Sequence, residues 1–323
     1  MPDPAAPDLD LLVLGDCNPD LVLAADDLEP AFGQVERVVD AADLTIGGSG
    51  AIVACGAARL GLRTAIAGIV GDDLFGRFMV EALAARGVDT SAVVIDQTAK
   101  TGVTVILARP DDRAVLTFPG AVSALTVELV DPALVRRARH VHVASFFLQT
   151  SLAPGLPRLF QSVRAAGAST SLDPNWDPDE LWDAGLHDLL RFTDVFLPNS
   201  AEATRIADRS DAHEAAVTLA AAGPIVAVKL GARGAVGAEP GKELTEVGSL
   251  SGIAPVDTIG AGDSFDAGVL AGLLNGYEVE RALALGCSCG ALSTRAVGGT
   301  GAQPTLDEAL DAIHSETEAR QIR

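Results

Sequence analysis

Apolar positions recur along this chain with two periods, and the two alternate. Leu11 to Leu14 is a short unbroken apolar run, read as a buried strand that stops at the polar stretch Gly15-Asp16-Cys17-Asn18-Pro19-Asp20. Residues 21–24 and 35–39 read as short strands around a turn marked by Pro30 and Gly33. Thr45-Ile46-Gly47-Gly48-Ser49-Gly50 then opens a small-residue helix over 51–60, closed by Gly61. A buried strand is expected over 64–70. Phe75, Phe78, Met79, Ala82 and Leu83 fall at i, i+3, i+4, i+7 and i+8, which predicts an amphipathic helix capped by Asp72 or Asp73 and ended by Gly87.

The pattern changes between 92 and 118. Three β-type runs (93–95, 103–107, 115–118) follow one another with turns such as Pro110-Asp111-Asp112 and no helix between them. They are expected to be antiparallel neighbours that join residues 21–45 in a small sheet outside the main one, a candidate lid. After Gly120, strand and helix alternate again, with strands expected near 140–144, 170–173, 194–197 and 225–230. A helix over 280–294, a glycine-rich loop over 297–304 and a last helix from Leu306 complete the chain. Several strands end in polar groups: Gln149 after one, Asp173-Pro174-Asn175 after another, Asn199 to Glu202 after a third, and Lys229 to Gly234 after a fourth. In an open α/β sheet the carboxyl ends of the strands converge on the ligand site.

The stretch Asp257-Thr258-Ile259-Gly260-Ala261-Gly262-Asp263-Ser264-Phe265 has a different character. Phe265, Val269 and Leu273 continue from it as one helix face that ends at Asn275-Gly276, so the glycines sit where a loop becomes a helix. Free N–H groups of a first helical turn attract an anion, and glycine lets one approach closely. Asp263 then has two readings, a general base beside an anion cradle or a carboxylate that caps the helix.

Composition narrows the choice of ligand. A chain of 323 residues that is 48% apolar can bury one large α/β core. A net charge of −21 argues against nucleic acid and anionic membrane as partners and in favour of small molecules. Only Lys100, Lys229 and Lys242 are lysines, a bias consistent with GC-rich coding or with a salt-adapted host. Cys17, Cys55, Cys287 and Cys289 are scattered, and His140 and His142 lack a third ligand, so all six read as core or strand residues rather than zinc ligands. No apolar run is long enough to span a bilayer, and the acidic start lacks the basic residues of a signal peptide; the expected location is the cytoplasm.

Asp257 to Phe265 resembles the D-T-x-G-A-G-D-x-F signature of the ribokinase-like (PfkB) carbohydrate and nucleoside kinases. Asn18 and Asp20, the Gly47-Gly48 loop, Asn199-x-x-Glu202, Leu230-Gly231-x-x-Gly234 and Gly301-Ala302-Gln303-Pro304 occur in the family's order. The resemblance implies one kinase domain over 1–323, with a three-layer α/β/α Rossmann-like core. It also implies a β-sheet lid from about 18–45 and 90–120, often a homodimer contact. The implied reaction is phosphorylation of a substrate hydroxyl by ATP with Mg2+. Asp263 would be the base, with the N–H groups of Gly260, Ala261, Gly262 and Asp263 as the anion hole. Asn18, Asp20, Gly47, Gly48, Ser49, Ile52 and Gln149 would meet the substrate. Lys229, Gly231 and Gly234 would line the nucleotide, and Asn199 and Glu202 would organise Mg2+ through water. Asp257 and the carbonyl of Ile259 would hold a monovalent cation such as K+.

Three departures bear on the substrate. Ile52 stands where a sugar-binding asparagine is common, Ser49 where ribokinases carry lysine, and Trp176 where an arginine often follows Asp-x-Asn. They point away from ribose. Phe118, Phe146, Phe147 and Ile52 would suit a nucleobase if they line the site and are core if they do not. A nucleoside kinase is therefore the alternative within the family, and a catalytically silent binding protein is the alternative from another class.

Overall fold

The fold is that of a computed structural model, which describes residues 7–109 and 112–322. All four residues of β1 (Leu11–Leu14) are buried. Leu12 and Leu14 join one hydrophobic core, while Leu11 and Val13 join a second on the opposite face. That alternation is the period of a strand covered on both sides, and it sets three layers.

From β1 the chain runs into β2 (Pro19–Ala24), β3 (Ala41–Ile46) and helix α1 (Ser49–Arg59). Next come β4 (Thr64–Ala67), β5 (Ile69–Gly71), α2 (Leu74–Ala85), β6 (Val94–Asp96), β7 (Val103–Arg109) and β8 (Asp112–Phe118). The second half holds α3 (Pro132–Arg137), β9 (His140–Val143), α4 (Leu156–Ala165), β10 (Ser169–Leu172), α5 (Leu186–Leu190) and β11 (Val195–Phe196). It continues with α6 (Ser200–Ala207), α7 (Ala212–Ala220), β12 (Ile225–Lys229), β13 (Ala235–Ala238) and β14 (Thr245–Val247). The last three helices are α8 (Ala261–Leu274), α9 (Val279–Ser293) and α10 (Leu306–Ile322).

The main sheet has the order β14-β13-β12-β11-β10-β9-β1-β4. Its strands are parallel from β4 to β12, and β13 runs antiparallel to both neighbours. Helices α3 to α7 pack on one face, and α1, α2, α8, α9 and α10 on the other. Small residues bring α8 and α9 together: a Cβ at Gly268 would stand 2.8 Å from the Gly286 Cα, and one at Gly272 would stand 2.9 Å from the Ala282 Cα. Among the described residues no helix is long and apolar enough to cross a membrane.

A four-stranded sheet, β3-β2-β7-β8, stands apart from the main one. Three expectations are corrected here. The strand expected at 35–39 lies at Ala41–Ile46; Val35 and Val38 are 52% and 88% exposed and pair with nothing regular, so their apolar character misled. The run 64–70 is two strands in different sheets. The chain leaves the main sheet at Gly68, where a Cβ would lie 2.6 Å from the Gly15 carbonyl and 2.7 Å from Cys17 Sγ. Finally, β6 pairs parallel with β5 instead of joining the four-stranded sheet, and β2 with β7 is also parallel, because α2 carries the chain back between them. The expected turn at Pro110-Asp111 lies outside the described residues.

The contact at Gly68 predicts that Gly68→Ala overpacks the junction and lowers unfolding free energy by about 1–3 kcal/mol, read as a lower urea midpoint at unchanged slope.

Candidate active site

The carboxyl ends of β1, β9, β10, β11 and β12 all open on one edge of the main sheet, and α8 begins there. Gly260 takes the left-handed conformation at φ 68°, with the Gly299 Cα only 2.6 Å from where a Cβ would be, so no other residue fits this turn. The first helical bond runs from Ser264 N–H to the Gly260 carbonyl at 2.9 Å, and Ala261 N–H reaches the Thr258 carbonyl only at 3.4 Å. Among the described residues no backbone carbonyl accepts from Gly262 or Asp263 N–H. Those donors and the helix dipole make a site for negative charge.

This turn is the wall between two cavities. One, of about 380 Å3, is lined by Asp16, Asn18, Asp20, Gly48, Ser49 and Ile52, with Ile259, Gly260 and Asp263 on its far side. The other, of about 320 Å3, is lined by Lys229, Gly231 and Gly234, with Ala261 and Gly262 facing them. Asp263 is half-buried, and its carboxyl is pushed up to about 6 by burial and by Asp173, against the Lys229 ammonium and a hydrogen bond from Ser49 that hold it down.

The first cavity is built by acids acting on glycines. Both Asp16 oxygens accept N–H groups at the start of α1, from Ser49 at 3.1 Å and Gly50 at 2.9 Å, which fixes the Gly47-Gly48 loop. Any Cβ at Gly47 would collide with the Asp20 carboxylate, and Gly48 sits at φ 78° against Asn18. Asp20 is 6% exposed, and burial together with Asp16 raises its carboxyl to about 7. Asn18 donates to the Thr104 hydroxyl at 3.4 Å, tying the cavity to β7 of the four-stranded sheet. From β8, Arg113 donates to the Thr258 hydroxyl at 3.0 Å and stands 3.7 Å from Asp257.

Asp257 accepts N–H groups from Ile259 and Gly298, both at 2.9 Å, and so joins the loop before α8 to the loop after α9. Gln303 reinforces that joint by donating to the Ile52 carbonyl at 3.0 Å and to Ser264 at 3.1 Å. Asn199 and Glu202 form a reciprocal capping box on α6; Glu202 accepts from the Asn199 N–H at 2.8 Å and from its amide at 2.6 Å. Burial and then Asp173 push Glu202 up to about 7.

Most of the expected residues line one of the two cavities; Gly47, Asn199, Glu202 and Asp257 lie outside both, and two further residues depart from expectation. Gln149 is fully buried and lines neither cavity, and its neighbour Leu148 lines the first one instead; the contact expected of Gln149 has no support in the geometry. Lys229 lies beside the second cavity, but its ammonium is paired inward with Asp173 at 2.7 Å and with Asp266 at 2.9 and 3.1 Å. Of the four apolar residues weighed for a nucleobase, only Ile52 lines the first cavity; Phe146 and Phe147 are core, and Phe118 is 52% exposed. His140 and His142 are buried, with ring nitrogens 2.6–2.7 Å from Ser169 and Ser171, and burial pushes both imidazoles down to the neutral form. Asp16 and Asp266 are functional candidates that the sequence does not single out: Asp16 caps a helix 33 residues further along the chain, and Asp266 lies within an apolar helix.

Residues 8–306 match the model of the pfkB family carbohydrate kinases. The chain belongs to this family. It is 34% identical to the ATP-dependent ribose-1-phosphate kinase of Halopiger xanaduensis over 95% of its own length and 98% of the relative's. It is 30% identical to the 2-dehydro-3-deoxygluconokinase of Bacillus subtilis, covering 85% and 89%. Among solved structures, a candidate ribokinase II from E. coli in complex with ATP and Mg2+ superposes with a TM-score of 0.82 at 26% identity, covering 95% and 99%. This pfkB kinase is therefore a phosphotransferase with an alcohol group as acceptor, on a ribokinase-like fold.

Because Asp16 carries both acceptors at the start of α1, Asp16→Ala is expected to cost about 1–2 kcal/mol of stability, seen as a lower melting temperature.

Proposed function

We propose that this kinase moves the γ-phosphate of ATP to a hydroxyl of a sugar or sugar-like alcohol, with Asp263 as base and the N–H groups of 260–263 as anion hole. The observation that carries this reading is the position of the α8 N-terminus, with its open donors and half-buried carboxylate, between one polar cavity and one glycine-walled cavity. The polar cavity takes the alcohol. Asn18 and Asp20 bind its hydroxyls, the Gly47-Gly48-Ser49 backbone lies close to it, and Ile52 covers its apolar edge. The other cavity takes the nucleotide along Gly231 and Gly234. Asp263 removes the hydroxyl proton, the oxygen attacks the γ-phosphorus, and the bond to the ADP oxygen breaks. The open N–H groups hold the charge that gathers on the transferring group.

The E. coli structure with ATP and Mg2+ supports that pair of cofactors here. Asn199 and Glu202 would hold Mg2+, which would supply positive charge against the phosphates. Both Glu202 oxygens are already bonded to Asn199, so this pair fits contact through water. Asp257 and the Ile259 carbonyl would hold a monovalent cation such as K+, which would share the Asp257 carboxylate with Arg113. The four-stranded sheet would act as the lid.

Asp263→Asn should lower kcat by about 10^2–10^4-fold while calorimetry still shows MgATP binding. In the wild type, kcat/KM should rise with pH through about 6, because the base acts only when deprotonated. ADP release on ribose, fructose, ribose 1-phosphate and 2-dehydro-3-deoxygluconate supplies the assay. An Asp263→Asn enzyme that keeps near wild-type speed would remove Asp263 as the base.

The exposed Leu44, Leu116 and Phe118 of the four-stranded sheet support a homodimer through that sheet. Sedimentation should give a dimer that Leu116→Glu converts to monomer. A wild-type monomer at micromolar concentration would refute it.

A further inference from the structure

Lys229 is the last residue of β12, and its N–H donates to the Pro198 carbonyl at 2.9 Å, so its backbone is fixed by β11's end. Its side chain is 13% exposed and ends between Asp173 and Asp266, whose side chains are 7% and 0% exposed. The same side chain runs behind the anion hole: a Cβ built on Gly262 would be 3.7 Å from Lys229 Cδ and 3.8 Å from Nζ. A buried lysine near a phosphate site would be expected to point at the phosphate. This one turns to two acids.

We propose that Lys229 is a positioning residue whose ammonium cancels the charge of Asp173 at the point of transfer, so that Asp263 and an incoming phosphate meet a neutral wall instead of another carboxylate. The inference rests on the reading of Asp263 as base. Its physical content is electrostatic. Groups facing Asp263 are Asp16 after β1, Asp20 of β2, Ser49 of α1, Arg113 of β8, Asp173 after β10, Glu202 of α6, Lys229 of β12 and Asp266 one turn along α8. Arg113 is turned to Thr258 and Asp257, so the cation on Asp173 is Lys229. Burial works against charge on Asp173, yet Lys229 holds that carboxyl below its ordinary range. Burial raises the Asp266 carboxyl well above its ordinary range, against the Lys229 ammonium. The shorter contact of Lys229, 2.7 Å, is to Asp173. Asp173 repels a proton-free Asp263, and Lys229 offsets that repulsion.

The test is a set of signed shifts in the acidic limb of kcat/KM against pH, on whichever of the four sugars turns over fastest. Lys229→Met should move the limb up by about one unit, so activity falls more at pH 6 than at pH 8. It should also weaken MgATP binding by calorimetry about tenfold. Asp173→Asn should move the limb down. The double variant Lys229→Met/Asp173→Asn removes both charges, should return the limb toward wild type, and covers the case in which Lys229→Met alone does not fold. A limb that stays in place in Asp173→Asn overturns the proposal, as does a double variant whose limb lies as far from wild type as that of a single variant, or a loss of rate that is equal at every pH. Asp263→Asn at near wild-type speed would instead strike the base reading itself; a slow Asp263→Asn enzyme with an unmoved Asp173→Asn limb would strike only this inference.

Discussion

Six acids gather where α8 begins, and the structure spreads their charge over separate partners. Asp16, Asp20, Asp173, Glu202 and Asp266 are all buried, and Asp263 stands half-buried among them. Asp173 faces the Lys229 ammonium, and burial raises Asp16, Asp20, Glu202 and Asp266 above their ordinary range, Asp16 and Glu202 while accepting the backbone donors of α1 and α6. What is left open at the centre is the positive end of α8. The Lys229 ammonium and one helix dipole thus set the local field of a protein whose overall charge is −21.

The chemistry-bearing loops were readable from the chain because they are local. A glycine at a left-handed turn, a capping carboxylate and a short apolar strand each leave their mark within ten residues, so the loops at 15–20, 47–50, 199–202 and 257–263 could be placed from residue types alone. Family membership followed from their order. The alternation of strand and helix after Gly120 was equally visible, since each element buries one consistent face.

What was missed depends on distance in sequence. Lys229 meets Asp173 from 56 residues away and Asp266 from 37, and no local pattern encodes either meeting. Asp266 is harder still, because α8 is buried from Ser264 to Gly272 and has no polar face against which an acid could be judged out of place. The break at Gly68 failed for a related reason. An apolar run looks the same whether it serves one sheet or two, and the close neighbour of Gly68, the Gly15 carbonyl, is supplied by the end of β1, far back in the sequence. Residues 35–39 show the converse error: β-branched residues without a partner strand remain a loop.

The glycine seam between α8 and α9 separates what can vary in this chain from what cannot. At Gly268, Gly272 and Gly286 a side chain would run into the backbone or packed side chains of the opposing helix, so the helix that carries Asp263 is walled in by contacts that admit no larger residue. The β8 strand has every residue exposed and faces no such wall. A larger side chain on β8 therefore meets open space, whereas one at the seam displaces the helix that carries Asp263.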